Sequence, residues 1–517
     1  MSPTPHFLPK LLPSAGATVL LAACTLGPDF VHPAAPSGGY SHAAPAAGAP
    51  QSVAYGADIA ADWYSLFHSD TLNGLVQEAL AGSPDLDAAR HGLLAAQYEL
   101  KAVAGTQLPQ IDATGSVTRA RINGSFLYEP DNALTATGNQ FSIGPALNYK
   151  IDLFGGVRRQ VEAQGAAADY ARDQALDTYI TLVNQVVITA FDYAASQAQI
   201  DTTQALLKDL DDQYKLTQLL ENGGKITRAD TLQAQTQLEN TIATLPALEQ
   251  QRDTYRNALA QLCGKTPDEF SMPTLTLKDF TLPQQLPLSL PSTLVRQRPD
   301  ILAAEDNLHQ ASAQVGVAQA ARFPSLTLSA QYTQQGSQLN QIFTKAGGIW
   351  SVGGNLSAPL FSGGTLKARS QEAKESYLQA QAKYHSAVIT AFVDVANALQ
   401  ALQHDADSYA AHNRALEAAA ANRDLSIAQY RGGKYNELQV LTAQQAYQSA
   451  ALSQVQADAQ RFTDTAALFR ALGGGWWNAP RNPAQLPAAS AGGTGNTNPS
   501  QTQPATKLAS AQEHPHE

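Results

Sequence analysis

A chain of 517 residues with only 15% charged residues and a formal net charge of −11 has room for several domains and gives a nucleic acid no electrostatic hold. No stretch reaches eighteen consecutive apolar residues, which excludes a membrane-spanning helix but not membrane strands, whose hydropathy signal is far weaker. Scarce Trp and Met beside plentiful Ala and Gln suit long helices packed through small side chains.

The chain opens with Lys10 and the short apolar run Leu11–Ala23, read as a signal peptide over residues 1–23. Leu21-Ala22-Ala23 followed by Cys24 resembles the lipobox of bacterial lipoproteins. That resemblance implies cleavage before Cys24 and a covalent lipid on it (S-diacylglycerol and N-acyl), with no other cofactor. Thr25 follows, not the aspartate that retains lipoproteins at the inner membrane, so the resemblance points to the outer membrane. Residues 24–60, rich in Pro, Gly, Ala and Ser, read as a lipidated tether. Cys263 then has no disulfide partner and reads as a small apolar helix residue.

A first structural repeat is expected over 61–263. Leu72, Leu75, Val76, Ala79 and Leu80 recur at helical spacing from Trp63 onward, and Ser83-Pro84-Asp85 starts a new helix that runs to about Thr106. Leu108-Pro109 ends it, and the period changes to two. Ile111, Ala113, Gly115 and Val117 form one alternating face; Phe141, Ile143, Leu147, Tyr149 and Ile151 form another. A β-hairpin at about 110–152 follows, with strands of roughly 35–40 Å, long enough to cross a membrane at a tilt. Leu153-Phe154-Gly155-Gly156 then turns into a proline-free run to Asn222, a helix of roughly 100 Å. Gly223-Gly224-Lys225 breaks it, and a second helix is expected from about Arg228 to Leu262. Residues 264–291 read as a proline-rich linker.

The pattern restarts over 292–477. Arg298-Pro299-Asp300-Ile301 repeats Ser83-Pro84-Asp85-Leu86, and Phe323-Pro324 repeats Leu108-Pro109, both at an offset of 215. A second hairpin is expected at about 325–361, from Leu326, Leu328, Ala330 and Tyr332 to Trp350, Val352, Leu356 and Leu360. Pro359-Leu360-Phe361-Ser362-Gly363-Gly364 repeats the strand-to-helix turn. Val388–Phe392 repeats Val187–Phe191, and Gly432-Gly433-Lys434 repeats Gly223-Gly224-Lys225 at an offset of 209. The drift in offset places insertions in the hairpins and the early long helices. Six landmarks in one order make this a duplication. Residues 478–517 are expected to be a disordered tail.

Four strands cannot close a membrane barrel, which needs at least eight, and open edges are not viable in lipid. Membrane strands here require an oligomer that shares one barrel. Two, three or four chains would supply eight, twelve or sixteen strands.

The lipobox with Gly27-Pro28-Asp29-Phe30, Trp63-Tyr64-Ser65-Leu66-Phe67, Leu153-Phe154-Gly155-Gly156, Arg298-Pro299-Asp300-Ile301, Ala304-Glu305, Phe323-Pro324 and Ala471-Leu472-Gly473-Gly474-Gly475-Trp476 together resemble the outer membrane factor family. Within it they are similar to efflux lipoproteins of the NodT and OprM type. The resemblance implies an α+β membrane protein: a homotrimer with a twelve-stranded transmembrane β-barrel continued by a long periplasmic α-helical barrel. It also implies a passive exit duct for small molecules, working with a periplasmic adaptor and an inner-membrane pump, expected to be proton-driven. A duct for protein secretion and a poreless periplasmic lipoprotein are the alternatives.

Gly155, Gly156, Gly363 and Gly364 are the candidate seam between barrel and helices; without a following Gly-Lys-Ser/Thr pattern they are not phosphate loops. Gly224 and Gly433 mark the candidate periplasmic tip, with Glu221, Asp230, Glu437, Leu438 and Leu441 beside them as gate candidates. Where the family's second tip often reads Leu-Asp-Ala-Gln-Arg, this chain has Leu441-Thr442-Ala443-Gln444-Gln445 and neither charge. Asp209, Asp211 and Asp212 read as a solvated face, and His514-Pro515-His516-Glu517 as tail composition. A metal site on the aspartates would need partners the sequence does not show, the tail could bind a metal only adventitiously, and no nucleophile–base arrangement stands out.

Overall fold

The computed structural model describes residues 25–34, 51–123 and 135–480. The leader, Cys24, most of the tether, the tip of the first hairpin and the tail with His514–Glu517 lie outside the described residues.

The first repeat begins with a short strand, β1 (Ser52–Tyr55), and a 3-10 turn over Trp63–Phe67 that ends on His68 at φ 54°. Helix α1 (Asp70–Gly82) starts where the Ser69 side chain accepts from the Leu72 N–H, and α2 (Pro84–Gly105) starts on Ser83 with a proline in its first turn. Strands β2 (Gln110–Asn123) and β3 (Thr135–Ile151) follow, then α3 (Gly156–Asn222). The helix expected over 228–262 is two helices, α4 (Arg228–Ile242) and α5 (Leu245–Leu262). Pro246 explains the break: it has no N–H for the preceding turn and disfavours helical backbone before it.

Strand β4 (Gln285–Leu288) and the single turn α6 (Pro291–Leu294) lead into the second repeat. That repeat consists of α7 (Pro299–Ala320), β5 (Ser325–Gly336), β6 (Gly348–Ser357), α8 (Thr365–Arg431) and α9 (Glu437–Ala471). Helices α3 and α8 are both 67 residues, about 100 Å each, and stand 209 residues apart at both ends. No insertion therefore lies within them. Val187–Phe191 and Val388–Phe392, 201 apart, do not occupy equivalent positions, and this part of the repeat reading is corrected.

The tether and the linker also depart from expectation. β1 pairs in parallel with β4, Ser52 opposite Gln285 and Tyr55 opposite Leu288, so the two segments hold each other. Beneath them lies the main core. Trp63 stacks on Phe469 at 4.9 Å, and Phe67 meets Phe191 edge-on at 4.9 Å. Phe280 and Phe462 complete the aromatic cluster. The core ties both repeats together midway along the long helices.

The four long strands form one antiparallel sheet in the order β2-β3-β5-β6. The register gathers the apolar residues on one face: Ile111 opposite Leu147, Val117 opposite Phe141, Ala330 opposite Val352, and Tyr332 opposite Trp350. Leu147 opposite Ala330 carries that face across the junction of the two hairpins. The other face is polar, with Ser116 and Ser142 hydroxyls 2.7 Å apart. Ile111, Val117, Trp350, Val352 and Leu356 are exposed. An open sheet with a bare apolar face and two free edges is unstable in water; lipid on that face and strands on those edges complete it. Among the described residues no helix is long and apolar enough to cross a membrane.

Candidate functional site

The strand-to-helix seam is built twice. At the first, Gly155 is the residue before α3 and has φ +76°, a left-handed conformation that a side chain disfavours. A β-carbon at Gly155 would lie 2.6 Å from Thr25 Cγ2, and one at Gly156 would lie 3.0 Å from Ala320 Cβ. The Leu26 N–H donates to the Phe154 carbonyl at 3.2 Å. Phe154 packs on Phe323 at 4.9 Å. At the second seam Gly363 and Gly364 have φ +59° and +86°, and among the described residues nothing stands within 4 Å of a β-carbon at either.

Below the first seam, residues 25–34 lie across α3 and α7. Arg159, buried, donates to the Leu26 carbonyl at 3.2 Å and to Asp29 at 2.6 Å, and also binds Glu162 at 2.7 Å. Phe30 stacks on His309 at 4.3 Å; His309 contacts Glu162 at 3.1 Å, and His32 contacts Glu305. Low complexity from residue 31 to 60 hides this packing in the sequence. Gly27-Pro28-Asp29-Phe30 was its visible trace.

The tips end the long helices some 100 Å from the sheet. Gly224 (φ +68°) and Gly433 (φ +72°) let the chain double back on α3 and α8. Lys225 donates to the Leu220 carbonyl and Lys434 to that of Gln429, both at 2.9 Å, closing the helix ends. Asp230 completes a capping box: it accepts from the Thr227 N–H at 2.9 Å and from the Thr227 hydroxyl at 2.7 Å. Glu221 meets Arg228 at 3.4 Å.

Glu437 differs from every other candidate. It is 2% exposed, and both its carboxylate oxygens accept from one group, the Gln213 amide of α3, at 3.0 and 3.1 Å. Burial raises its carboxyl above the ordinary glutamate range, Gln213 and Tyr430 pull it back, and the Asp230 charge pushes it up again. The tip thus brings Asp230 and Glu437 into one electrostatic neighbourhood, and no cation pairs with Glu437 among the described residues. Leu441 is buried beside it, while Leu438 points outward. Gln213 had no signal in the sequence, since its partnership with Glu437 is made only by folding residues 224 positions apart together.

Of the other candidates, Asp211 pairs with Lys215 at 2.5 Å and Asp209 faces Arg423 at 3.9 Å, a solvated charged face. Cys263 is buried, and burial pushes its thiol up to about 11, far from a reactive thiolate.

The model of the family described as outer membrane efflux protein matches residues 75–265 and 290–474, one match per repeat. The chain is 30% identical over 474 residues to the probable efflux pump outer membrane protein TtgC of Pseudomonas putida KT2440, covering 90% of this chain and 96% of that protein. It is 29% identical over 475 residues to nodulation protein T of Rhizobium leguminosarum bv. viciae, covering 90% and 93%. Among solved structures, the outer-membrane channel OprN superposes with a TM-score of 0.80 at 28% identity, covering 88% of this chain and 100% of that one. The open state of the Neisseria gonorrhoeae MtrE outer membrane channel does so at 0.76 and 26%, covering 87% and 98%. With its amphipathic sheet in the outer membrane and its paired long helices in the periplasm, the chain belongs to the outer membrane efflux protein family.

Proposed function

We propose that three copies of this chain close a twelve-stranded barrel, continue it as a helical duct, and act as the passive outer-membrane exit of a tripartite efflux system for small molecules. The carrying observation is the sheet: one apolar face, one polar face, and edges at β2 and β6 that no strand among the described residues pairs. Closing the edges through other copies turns the apolar face to lipid and the polar face to a lumen. A conduit of this kind has no chemistry of its own, so the energy comes from an inner-membrane pump, proton-driven in our reading, through a periplasmic adaptor that engages the tips.

The acylated Cys24 belongs to the same proposal. Thr25 rests against Gly155 and Leu26 is bonded to Phe154, which would hold a lipid on the preceding residue at the membrane face of the seam. At the other end, the Asp230 cap and the buried Glu437 hold the tips in their closed packing. Purified trimers in planar lipid bilayers test the reading. Rare, small conductance steps are expected from the wild type, and larger, more frequent ones from Asp230→Ala combined with Glu437→Ala. Trimers that show no step in either form would overturn it.

A further inference from the structure

The α3–α7 contact buries a pair of acids that the duct reading does not use. The Asp173 side chain, on α3, is 1% exposed. One of its oxygens accepts from Arg172 Nε at 2.9 Å; the other, Oδ2, is buried and meets no donor among the described residues. Asp306, on α7, repeats the situation, with its Oδ2 buried and without a donor. The two carboxyls lie within hydrogen-bonding reach of each other across the helix contact.

Two ionised carboxylates placed so would leave two desolvated oxygens in mutual repulsion. A single proton corrects both faults: the O–H of one carboxyl donates to the free oxygen of the other. A metal ion does not answer the same need, because no group of three His, Cys, Asp or Glu among the described residues could hold one. Arg172 does not either, since it is shared between Asp173 and Asp169, the latter at 2.8 Å. We infer that Asp173 and Asp306 bind one proton between them at neutral pH, and that this proton is a pH-sensitive tie between α3 and α7.

The surroundings favour the proton. On α3, Arg172 opposes it and Asp169 supports it. Helix α2 packs there through Ala89 and Leu93 against Ala171 and Ala175, and its Arg90 is engaged with Asp87. Farther along α7, Glu305 meets His32, and His309 meets Glu162; Tyr384 of α8 lies near Glu305. Burial, and then the Asp173 charge, push Asp306 up to about 8, and burial raises Asp173 as well.

The sign follows from the proton count. In the unfolded chain both acids titrate at about 4. Between there and about 8 the folded state holds the extra proton, so stability is full in acid and falls as the pH climbs through that window. The arrangement recurs between α8 and α9. There Asp405 Oδ2 is buried without a donor and faces Asp464, and burial followed by Asp464 pushes Asp405 up to about 7.

Infrared difference spectroscopy on the full chain, titrated from about pH 6 to about pH 9.5, reads the carbonyl stretch of a protonated carboxyl directly. The wild type is expected to show that band at the acid end and lose it at the alkaline end. Asp306→Asn and Asp173→Asn, whose amides replace the shared O–H, should each remove the component that titrates last and leave the Asp405 component. The melting temperature of either variant should fall less with rising pH than that of the wild type, by several degrees over the range. Two variants keep the test open if one fails to fold. The same band and the same pH slope of Tm in the wild type and a folded variant would overturn the inference.

Discussion

The two seams use one backbone turn in opposite surroundings. Gly155 and Gly364 both hold a left-handed φ immediately before a 67-residue helix. At the first, Thr25, Ala320 and Phe323 close in around the turn. At the second, Leu360 and Phe361 are 96% and 92% exposed, and no side chain among the described residues covers the glycines. The chain completes one seam with its own α7 and N-terminal segment and leaves the other bare. The repeat indicates what completes it in the proposed ring. α2 stands to β2 as α7 stands to β5, and exposed Leu108 occupies the position of Phe323. The bare seam is the mirror of the filled one, with the partner supplied by the next copy.

The largest effect expected from this contrast is at the filled seam. Gly155→Val combines an unfavourable φ with a β-carbon pressed on Thr25 and should cost about 3 kcal/mol or more in the chemical denaturation of the chain. Gly364→Ala, with open space around it, should cost only about 1 kcal/mol for the backbone. Equal losses at the two positions would erase the contrast. Next in size is the aromatic pair. Phe154→Ala should lower thermal stability by about 2–3 kcal/mol because it strips Phe323 of its partner. Phe361→Ala should leave the isolated chain within about 0.5 kcal/mol of wild type and instead reduce the yield of trimer on gel filtration.

Smaller effects are expected at the tips, where the same duplication has again diverged. Asp230→Ala removes one side of a capping box and should cost about 1 kcal/mol, seen as faster hydrogen exchange in the first turn of α4. Glu437→Gln imitates the protonated acid that burial favours and should change stability by less than about 1 kcal/mol at neutral pH. Because burial raises the Glu437 carboxyl, the wild-type side chain is the more stable form in acid, and the glutamine gains on it as the pH rises. A glutamine variant that lost ground in alkali would contradict the assignment.

Much of this was written in the sequence as period and punctuation. The change from helical spacing to alternation at Leu108-Pro109 and Phe323-Pro324, and back at the two glycine pairs, marks the seams because backbone geometry is local. The seam glycines and the tip glycines were legible for the same reason. The β1–β4 pairing was not, since two four-residue strands among prolines carry no period. Pro246 was plain in the sequence, and a helix drawn through it was the error. The equal length of α3 and α8 emerged only from their ends, because Ala-rich stretches repeat short words by chance. Glu437 could be named as a tip acid, yet its burial against Gln213 depends on contacts that no local pattern encodes.

The repeat makes one distance testable above the rest. Within the chain Leu147 of β3 faces Ala330 of β5. Carried by the offsets of 209 and 215, the same pairing places Leu356 of β6 opposite Gly115 of β2 in the next copy. A Gly115→Cys/Leu356→Cys double variant, oxidised in outer membranes and run on a denaturing gel, measures it directly. Covalent trimers with no intrachain product are the expected result. Monomers alone, with trimers still present by gel filtration, would contradict the shared barrel in this register.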